Sequence, residues 1–150
     1  MKFEQALMTA QEYKDIYNFV GAAMEVHATL GRGLAEAIYQ EALLMELESR
    51  GEHAEREKLL PVYYKGRKLE KTYIADFCYK GIVIEIKATD QLCAEHRAQL
   101  FNYLRICHPD RGILVNFGEK SLRAERYLYD SKSDDFILLT KDNYKRYITE

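Results

Sequence analysis

YIADFCYKGIVIEIKA, the segment from Tyr73 to Ala88, decides the fold of this chain. Runs of β-branched and aromatic residues lie on both sides of the dipeptide Lys80-Gly81, and such runs around a glycine-containing turn predict a β-hairpin. The predicted strands are Tyr73–Tyr79 and Ile82–Ala88. With a two-residue loop between them, the turn also fixes which residues of the two strands face each other.

The predicted register pairs Tyr79 with Ile82, Cys78 with Val83, Asp76 with Glu85, and Ile74 with Lys87. Because side chains alternate along a strand, Asp76, Glu85 and Lys87 emerge on one face of the hairpin. The opposite face is wholly apolar and is predicted to be core: Ala75, Phe77, Tyr79, Ile82, Ile84 and Ile86.

Two carboxylates placed in this way need a cation. Directly opposed side chains have Cβ atoms about 5 Å apart, and like charges there destabilise a sheet. Lys87 can supply part of the positive charge, and a divalent metal can supply the rest, because Mg²⁺ binds one or two carboxylates and keeps several waters. Such a metal can polarise a phosphodiester and activate a water molecule. The structural alternative is an ion pair of Lys87 with Asp76 or Glu85, or charges on a solvent-facing sheet.

The rest of the sequence predicts helices before the hairpin and a crossover after it. A helix–strand connection after the hairpin implies a parallel strand pair with right-handed connection. The order is therefore α-α-β-β-β-α-β, an α/β sandwich around a mixed sheet. The predicted elements are a helix from the capping box Thr9–Glu12 to about His27, a break at Gly31–Gly33, a helix over Leu34–Arg50, a strand over Leu59–Tyr64, a helix over Cys93–Cys107, strands over Gly112–Phe117, Arg126–Tyr129 and Phe136–Leu139, and a short terminal helix capped by Thr140.

Composition favours one globular domain over residues 1–150, with 47% hydrophobic and 31% charged residues. We expect a cytoplasmic protein with no membrane association, since the chain has three cysteines, no long apolar run and no secretory leader. The net charge of −2 counts against nucleic-acid binding, although a local basic rim can be hidden in a balanced total. Such a rim could comprise Arg56, Lys58, Lys65, Arg67, Lys68 and Arg97, or these charges could only be solvated.

Asp76 followed by Glu85-Ile86-Lys87 resembles the motif of the PD-(D/E)XK nuclease superfamily, with Ala75 in place of its loosely kept proline. The segment Gly33–Tyr39 matches the GxxExxY pattern that names a small bacterial and archaeal family within it. The similarity runs from about Ala23 to Phe117. It implies a restriction-endonuclease-like α-β-β-β-α-β core, with a mixed sheet flanked by helices. It also implies a nuclease that uses Mg²⁺ or Mn²⁺ and acts on nucleic acid, with DNA as the expected substrate.

The resemblance also implies roles for individual residues. Asp76, Glu85 and the carbonyl of Ile86 are the expected metal ligands, and Lys87 is the expected catalytic lysine. Glu36 resembles a further, often water-mediated, ligand, although the helix dipole favours an acidic residue in a first turn in any case. Tyr39 could orient Glu36 and contact substrate, or it could simply pack.

Gln99 and Tyr103 resemble a QxxxY motif of the exonuclease branch of the superfamily. With His96 they share one helical stripe, and we expect Gln99 and Tyr103 to act in catalysis and His96 to bind substrate. The alternative is a half-buried, hydrogen-bonded cluster. His27 lies on an apolar stripe and is predicted to be a hydrogen-bonded core residue. The competing function is a catalytically silent binding or assembly module, and a homodimer is compatible with either.

Overall fold

The structure is a computed structural model that describes residues 7–107 and 110–149. Ten elements follow one another along the chain, with two helices before the first strand and a third helix between the third and fourth strands. The elements are α1 (Ala10–Leu30), α2 (Glu36–Ser49), β1 (Glu55–Tyr64), β2 (Arg67–Tyr79), β3 (Ile82–Lys87), α3 (Ala94–Cys107), β4 (Arg111–Asn116), β5 (Arg123–Asp130), β6 (Asp135–Leu139) and a 3₁₀ turn (Tyr144–Tyr147).

Local sequence explains where the first two helices begin and end. Thr9 and Glu12 form the predicted capping box, in which each side chain accepts a hydrogen bond from the other residue's backbone N–H. Gly31 ends α1 at a φ of 72°, a left-handed conformation that favours glycine. The predicted break between α1 and α2 is confirmed.

The six strands form one sheet in the order β1-β2-β3-β4-β5-β6. β3 and β4 are parallel and are joined through α3, whereas the other neighbouring strands are antiparallel. The crossover through α3 supplies the parallel pair that the sequence predicts. The predicted α/β class, with a mixed sheet flanked by helices, is confirmed.

Each face of the sheet carries its own hydrophobic core. One face packs against α1 and α2, and its cluster includes Phe19, Leu43, Ile84 and Val115. The other face packs against α3, where Leu100 and Leu104 contact the strands. β3 and β4 are the central strands of the sheet. Because helices cover both faces there, the side chains of these two strands are buried almost without exception. No helix among the described residues is long and apolar enough to cross a membrane.

Several predicted boundaries are wrong. β1 begins at Glu55 rather than at Leu59, and β2 begins at Arg67 rather than at Tyr73. The additional part of β2, Arg67–Thr72, is charged and mostly exposed, so it lacks the apolar alternation on which the prediction depended. Thr140 does not cap the terminal turn, because Asn143 holds the N-cap position of that turn.

Candidate active site

The β2–β3 ladder ends just before the acidic residues. Its pairs are Tyr79 with Ile82, Cys78 with Val83, and Phe77 with Ile84. The first two confirm the predicted register. The predicted opposition of Asp76 to Glu85, and of Ile74 to Lys87, is wrong as a ladder, because the paired residues of β2 and β3 end at Phe77 and Ile84.

Carboxylates replace the backbone ladder where the two strands part. The Glu85 carboxylate accepts a hydrogen bond from the backbone N–H of Asp76 at 2.9 Å. The Asp76 carboxylate accepts one from the backbone N–H of Ile86 at 2.8 Å. The two acidic side chains therefore meet in the opening between β2 and β3, as the sequence analysis requires.

The strand β2 changes its packing at Asp76. Phe77 and Tyr79 pack in the cluster under α1 and α2, as predicted, but Ala75 packs in the α3 cluster. The prediction that Ala75 shares the face of Phe77 is therefore wrong. Regular alternation would have kept both on one side, so the strand must rotate at the residue that carries the carboxylate.

Burial and mutual charge make this carboxylate pair electrostatically unusual. Glu85 is only 3% exposed. Burial, followed by the charge of Asp76, raises the pKa of Glu85 to about 8. Burial also raises the pKa of Asp76, against the opposing effects of the Ile86 N–H and of Lys87. Two desolvated acids beside each other are the arrangement that a bound cation stabilises.

A chain of hydrogen bonds connects Lys87 to α3. The Lys87 ammonium donates to Gln99 Oε1 at 3.3 Å, and Gln99 Nε2 donates to the Tyr103 hydroxyl at 3.0 Å. The Tyr103 hydroxyl donates to the carbonyl of Ile74 at 3.2 Å, two residues before Asp76. Burial, followed by the charge of Glu85, raises the pKa of Tyr103 to about 12. The predicted stripe of α3 thus joins both strands that carry the acids.

His96 lies on the same stripe but is occupied differently. Its Nδ1 accepts a hydrogen bond from the backbone N–H of Cys93 at 3.2 Å, at the start of α3. Because Cys93 directly precedes the helix, this bond satisfies a backbone donor at its N-terminus. The ring is half-buried, and it does not join the chain formed by Gln99 and Tyr103.

Glu36 and Tyr39 are separated by their environments. Glu36 is the exposed first residue of α2, and its charge is the weakest of the influences that raise the pKa of Glu85. Tyr39 is fully buried, and its hydroxyl donates to the Gly31 carbonyl at 2.6 Å and accepts from the Leu34 N–H at 3.2 Å. Tyr39 therefore packs in the core and bonds the backbone between α1 and α2, and its contact with substrate stays a prediction.

Residues 13–127 match the family model of the PD-(D/E)XK nuclease superfamily. This chain belongs to the PD-(D/E)XK nuclease superfamily. Its six-stranded mixed sheet with flanking helices is consistent with the restriction-endonuclease-like fold of that superfamily. Membership supports a nuclease-type function and a nucleic-acid substrate.

No curated protein matches this sequence. Among solved structures, the chain is similar to that described as "Crystal structure of SSO0001", with 20% sequence identity and a TM-score of 0.45. That similarity covers 89% of this chain and 73% of the other chain.

The donor atoms of this PD-(D/E)XK site fit a hard divalent cation. Asp76 and Glu85 offer carboxylate oxygens, which Mg²⁺ and Mn²⁺ prefer. Among the described residues, no group of three or more His, Cys, Asp or Glu side chains gathers in a way that could hold a metal. Two carboxylates with water molecules are a usual set for Mg²⁺, whereas they are too few for a closed structural site.

Two residues that no sequence pattern predicted, Asn116 and Gly118, fix the loop after Lys87. Asn116 is fully buried, and its amide bonds both the N–H and the carbonyl of Thr89, at 3.0 and 2.9 Å. Gly118 lies so close to Thr89 that an added Cβ would come within 2.2 Å of its carbonyl oxygen. Only the glycine that ends the Asn-Phe-Gly segment could have signalled this contact.

The predicted basic rim divides into two groups. Arg97 makes two hydrogen bonds to Glu125, at 2.7 and 2.8 Å, and Lys58 pairs with Glu55 at 3.3 Å. Arg56 donates to Gln40. Arg97 and Lys58 are therefore paired with neighbouring carboxylates, and their part in a basic rim stays a prediction. Lys65, Arg67 and Lys68 are exposed at the β1–β2 turn.

Proposed function

We propose that this protein is a nuclease that hydrolyses phosphodiester bonds of nucleic acid, with DNA as its substrate, and that it depends on Mg²⁺ or Mn²⁺. The observation that carries the proposal is the pair of buried carboxylates in the opening between β2 and β3, with the Lys87 ammonium held beside them. Within the superfamily, the Gly33–Tyr39 segment supports membership of the GxxExxY family.

In this proposal Asp76, Glu85 and the carbonyl of Ile86 hold the cation, and Glu36 contributes through water. A divalent cation bound there supplies Lewis-acid activation of the phosphodiester and lowers the pKa of a water molecule. The charge of Glu36 contributes to the raised pKa of Glu85, and this electrostatic contact supports the role of Glu36. Its exposure at the start of α2 leaves the carboxylate open to solvent and to a hydrated ion.

Lys87 acts as the positioned cation of the site. Its ammonium can donate to a phosphate oxygen as negative charge develops there, which is worth most when the donor is already oriented. Gln99 provides that orientation, because its amide accepts from Lys87 and donates to Tyr103. Tyr103 in turn is fixed on the carbonyl of Ile74, so the chain ends on the strand that carries Asp76. In the same proposal, the Nε2 of His96 contacts the substrate.

Cleavage of labelled DNA and RNA oligonucleotides, with Mg²⁺, with Mn²⁺ and with EDTA, tests the proposal. We expect cleavage with either metal and none with EDTA. Asp76→Asn should reduce the rate by about a thousandfold or more, since losing a metal-bound carboxylate removes several kcal/mol of transition-state stabilisation. Asp90→Asn, an exposed carboxylate just beyond the Lys87 strand, is the matched control and should retain the rate.

The metal can also be followed without cleavage. Mn²⁺ should bind the wild-type protein and raise its melting temperature, and Asp76→Asn should abolish both effects. If Mn²⁺ neither binds nor stabilises the protein, and Asp76→Asn changes nothing, the chain is a catalytically silent binding or assembly module instead. The homodimer, the single domain over residues 1–150 and the cytoplasmic location stay predictions. Light scattering in solution tests the first of them.

A further inference from the structure

The outer part of the β1–β2 hairpin, residues Pro61–Lys71, is an uncovered arm. Every residue in it is exposed except Val62, which is half-buried. Tyr63 and Tyr64, the large side chains before the turn, are 60% and 62% exposed. The ladder with β1 continues to Tyr64 and Arg67, so the arm is a regular two-stranded ribbon and not a loose loop. Because both faces of the ribbon are exposed, packing within this chain does not explain which side chains it carries.

The charge of the arm contrasts with that of the whole chain. The arm contains four cations and one anion, a net charge of +3, whereas the complete sequence carries −2. The remaining residues therefore carry −5 together. The cations are Lys65, Arg67, Lys68 and Lys71, and Glu70 is the anion. None of the ion pairs among the described residues involves any of these four cations.

Aromatic rings and cations alternate around the tip of the arm. Tyr63 lies opposite Lys68, and Tyr64 lies opposite Arg67, so each face of the ribbon presents one ring and one cation. The Lys65 ammonium lies 5.5 Å from the centre of the Tyr64 ring. Cations interleaved with exposed aromatic rings are the combination that binds a phosphate backbone and offers a stacking surface to bases.

We propose that the arm is a second contact for the nucleic-acid substrate, binding its phosphates away from the reaction centre. The inference rests on the proposed function, since it supplies the affinity that the acidic centre lacks. β2 itself connects the two sites. Nine residues separate Asp76 from Arg67, about 30 Å at 3.3 Å per residue. That length spans roughly nine phosphates of one strand of a duplex.

A second copy of this chain fits the arm less well than nucleic acid. Self-pairing through a two-fold axis would bring the four cations of one arm against those of the other. Phosphates are anionic and therefore attract these cations, and the release of counterions from the nucleic acid drives the association. The arm is thus expected to add affinity and to leave the chemical step unchanged.

The test measures DNA binding in the Asp76→Asn background, which removes cleavage from the assay. The variant carries Lys65→Gln, Arg67→Gln and Lys68→Gln in addition. The matched control neutralises three exposed cations elsewhere, Lys14, Lys132 and Lys145, so both proteins change by the same charge. All six positions are on the surface, where substitutions change stability little, and thermal melting verifies that both proteins fold.

We expect the arm variant to bind a duplex of about 20 base pairs at least tenfold more weakly than its parent in moderate salt. The slope of log K against log salt should fall by about 2 to 3, from three lost phosphate contacts at about 0.9 each. The control variant should stay within about threefold of its parent, because diffuse charge alone contributes less than positioned contacts. Equal losses in the two variants would overturn the inference.

Cleavage by proteins with an intact centre separates this inference from the proposed function. The arm variant should raise KM for a 20-base-pair substrate and cleave a six-base-pair substrate like wild type, since the shorter duplex cannot reach from Asp76 to Arg67. Cleavage that is unaffected at both lengths, with unchanged binding, overturns the arm and leaves the nuclease. Absence of all cleavage, with binding that still depends on the arm, overturns the nuclease and leaves the arm. A wild-type dimer that the arm variant converts to monomer overturns the arm as a nucleic-acid contact.

Discussion

Two hairpins of this protein turn through the same dipeptide, Lys-Gly, with nearly the same backbone. Lys65 and Gly66 have φ values of 49° and 79°, and Lys80 and Gly81 have values of 49° and 81°. Positive φ at both central residues is the requirement of a type I′ turn. The first hairpin nevertheless extends as an exposed ribbon, whereas the second is buried between helices and opens into the carboxylate pair.

The difference shows that the turn sets where strands reverse, and that packing sets what they become. Beyond Lys80-Gly81, residues on β3 are buried on both faces. An acidic side chain there must therefore be compensated by a cation or stay protonated. Beyond Lys65-Gly66, water screens every charge of the arm. The same residue types therefore serve different purposes: reaction chemistry in the buried hairpin and long-range attraction in the exposed one.

The largest expected contrast is between two lysines, one on each hairpin. Lys87→Ala should lower the cleavage rate about 100- to 1000-fold, as removal of a preorganised donor does in other enzymes. Lys68→Ala, on the exposed ribbon, should change the rate on a short substrate less than about twofold, because a surface charge at that distance is screened. Steady-state cleavage of a six-base-pair duplex measures both.

Lys87→Arg sharpens this contrast. A guanidinium keeps the charge but not the compact geometry that meets Gln99, so it should restore less than the full rate. Equal activity of Lys87→Ala and Lys68→Ala would show that the Lys87 ammonium has no part in the reaction.

The residues around the second turn could be predicted because the information there is local. A two-residue turn fixes the pairs next to it, and apolar alternation assigns Ile82, Ile84 and Ile86 to the core correctly. The hydrogen-bonded stripe of Gln99 and Tyr103 likewise follows from helical spacing.

What could not be predicted depends on contacts between distant segments. Nothing near Asp76 in the sequence indicates that the ladder stops at Phe77 or that Ala75 rotates toward α3. The charged half of β2 is a strand only because β1 pairs with it, since its own residues have weak strand propensity. Asn116 reaches Thr89 across 27 residues, and no local pattern encodes that bond.

A second contrast concerns two glutamates and the stability of the metal-free protein. Glu85→Gln should stabilise the fold at pH 8 by about 1 to 3 kcal/mol, since the amide removes a desolvated charge and can still accept the bond from the Asp76 N–H. This corresponds to a rise of roughly 3 to 10 °C in melting temperature. Glu70→Gln, on the exposed ribbon, should leave stability within about 0.5 kcal/mol.

The pH dependence has a definite sign. Because the pKa of Glu85 is raised to about 8 from 4.5, the folded protein keeps a proton that the unfolded chain loses between these values. Wild-type stability should therefore fall as pH rises through this window, and the gain from Glu85→Gln should shrink toward zero near pH 4.5. Thermal melting with EDTA at several pH values measures this. A gain that is the same at every pH would mean that Glu85 is not protonated in the metal-free fold.

The smallest contrast compares the two turns themselves. Gly66→Ala and Gly81→Ala both place a side chain at positive φ, which costs about 1 to 2 kcal/mol. A Cβ on Gly66 meets open space, whereas one on Gly81 lies 3.1 Å from a guanidinium nitrogen of Arg111. That nitrogen donates to the Lys80 carbonyl at 3.0 Å, so relieving the contact weakens a bond that closes the second turn. Urea unfolding should therefore show that Gly81→Ala is less stable than Gly66→Ala by about 0.5 to 1 kcal/mol, which is the net contribution of one hydrogen bond. Identical losses would mean that the Arg111 side chain moves aside freely, and that the two hairpins differ only beyond their turns.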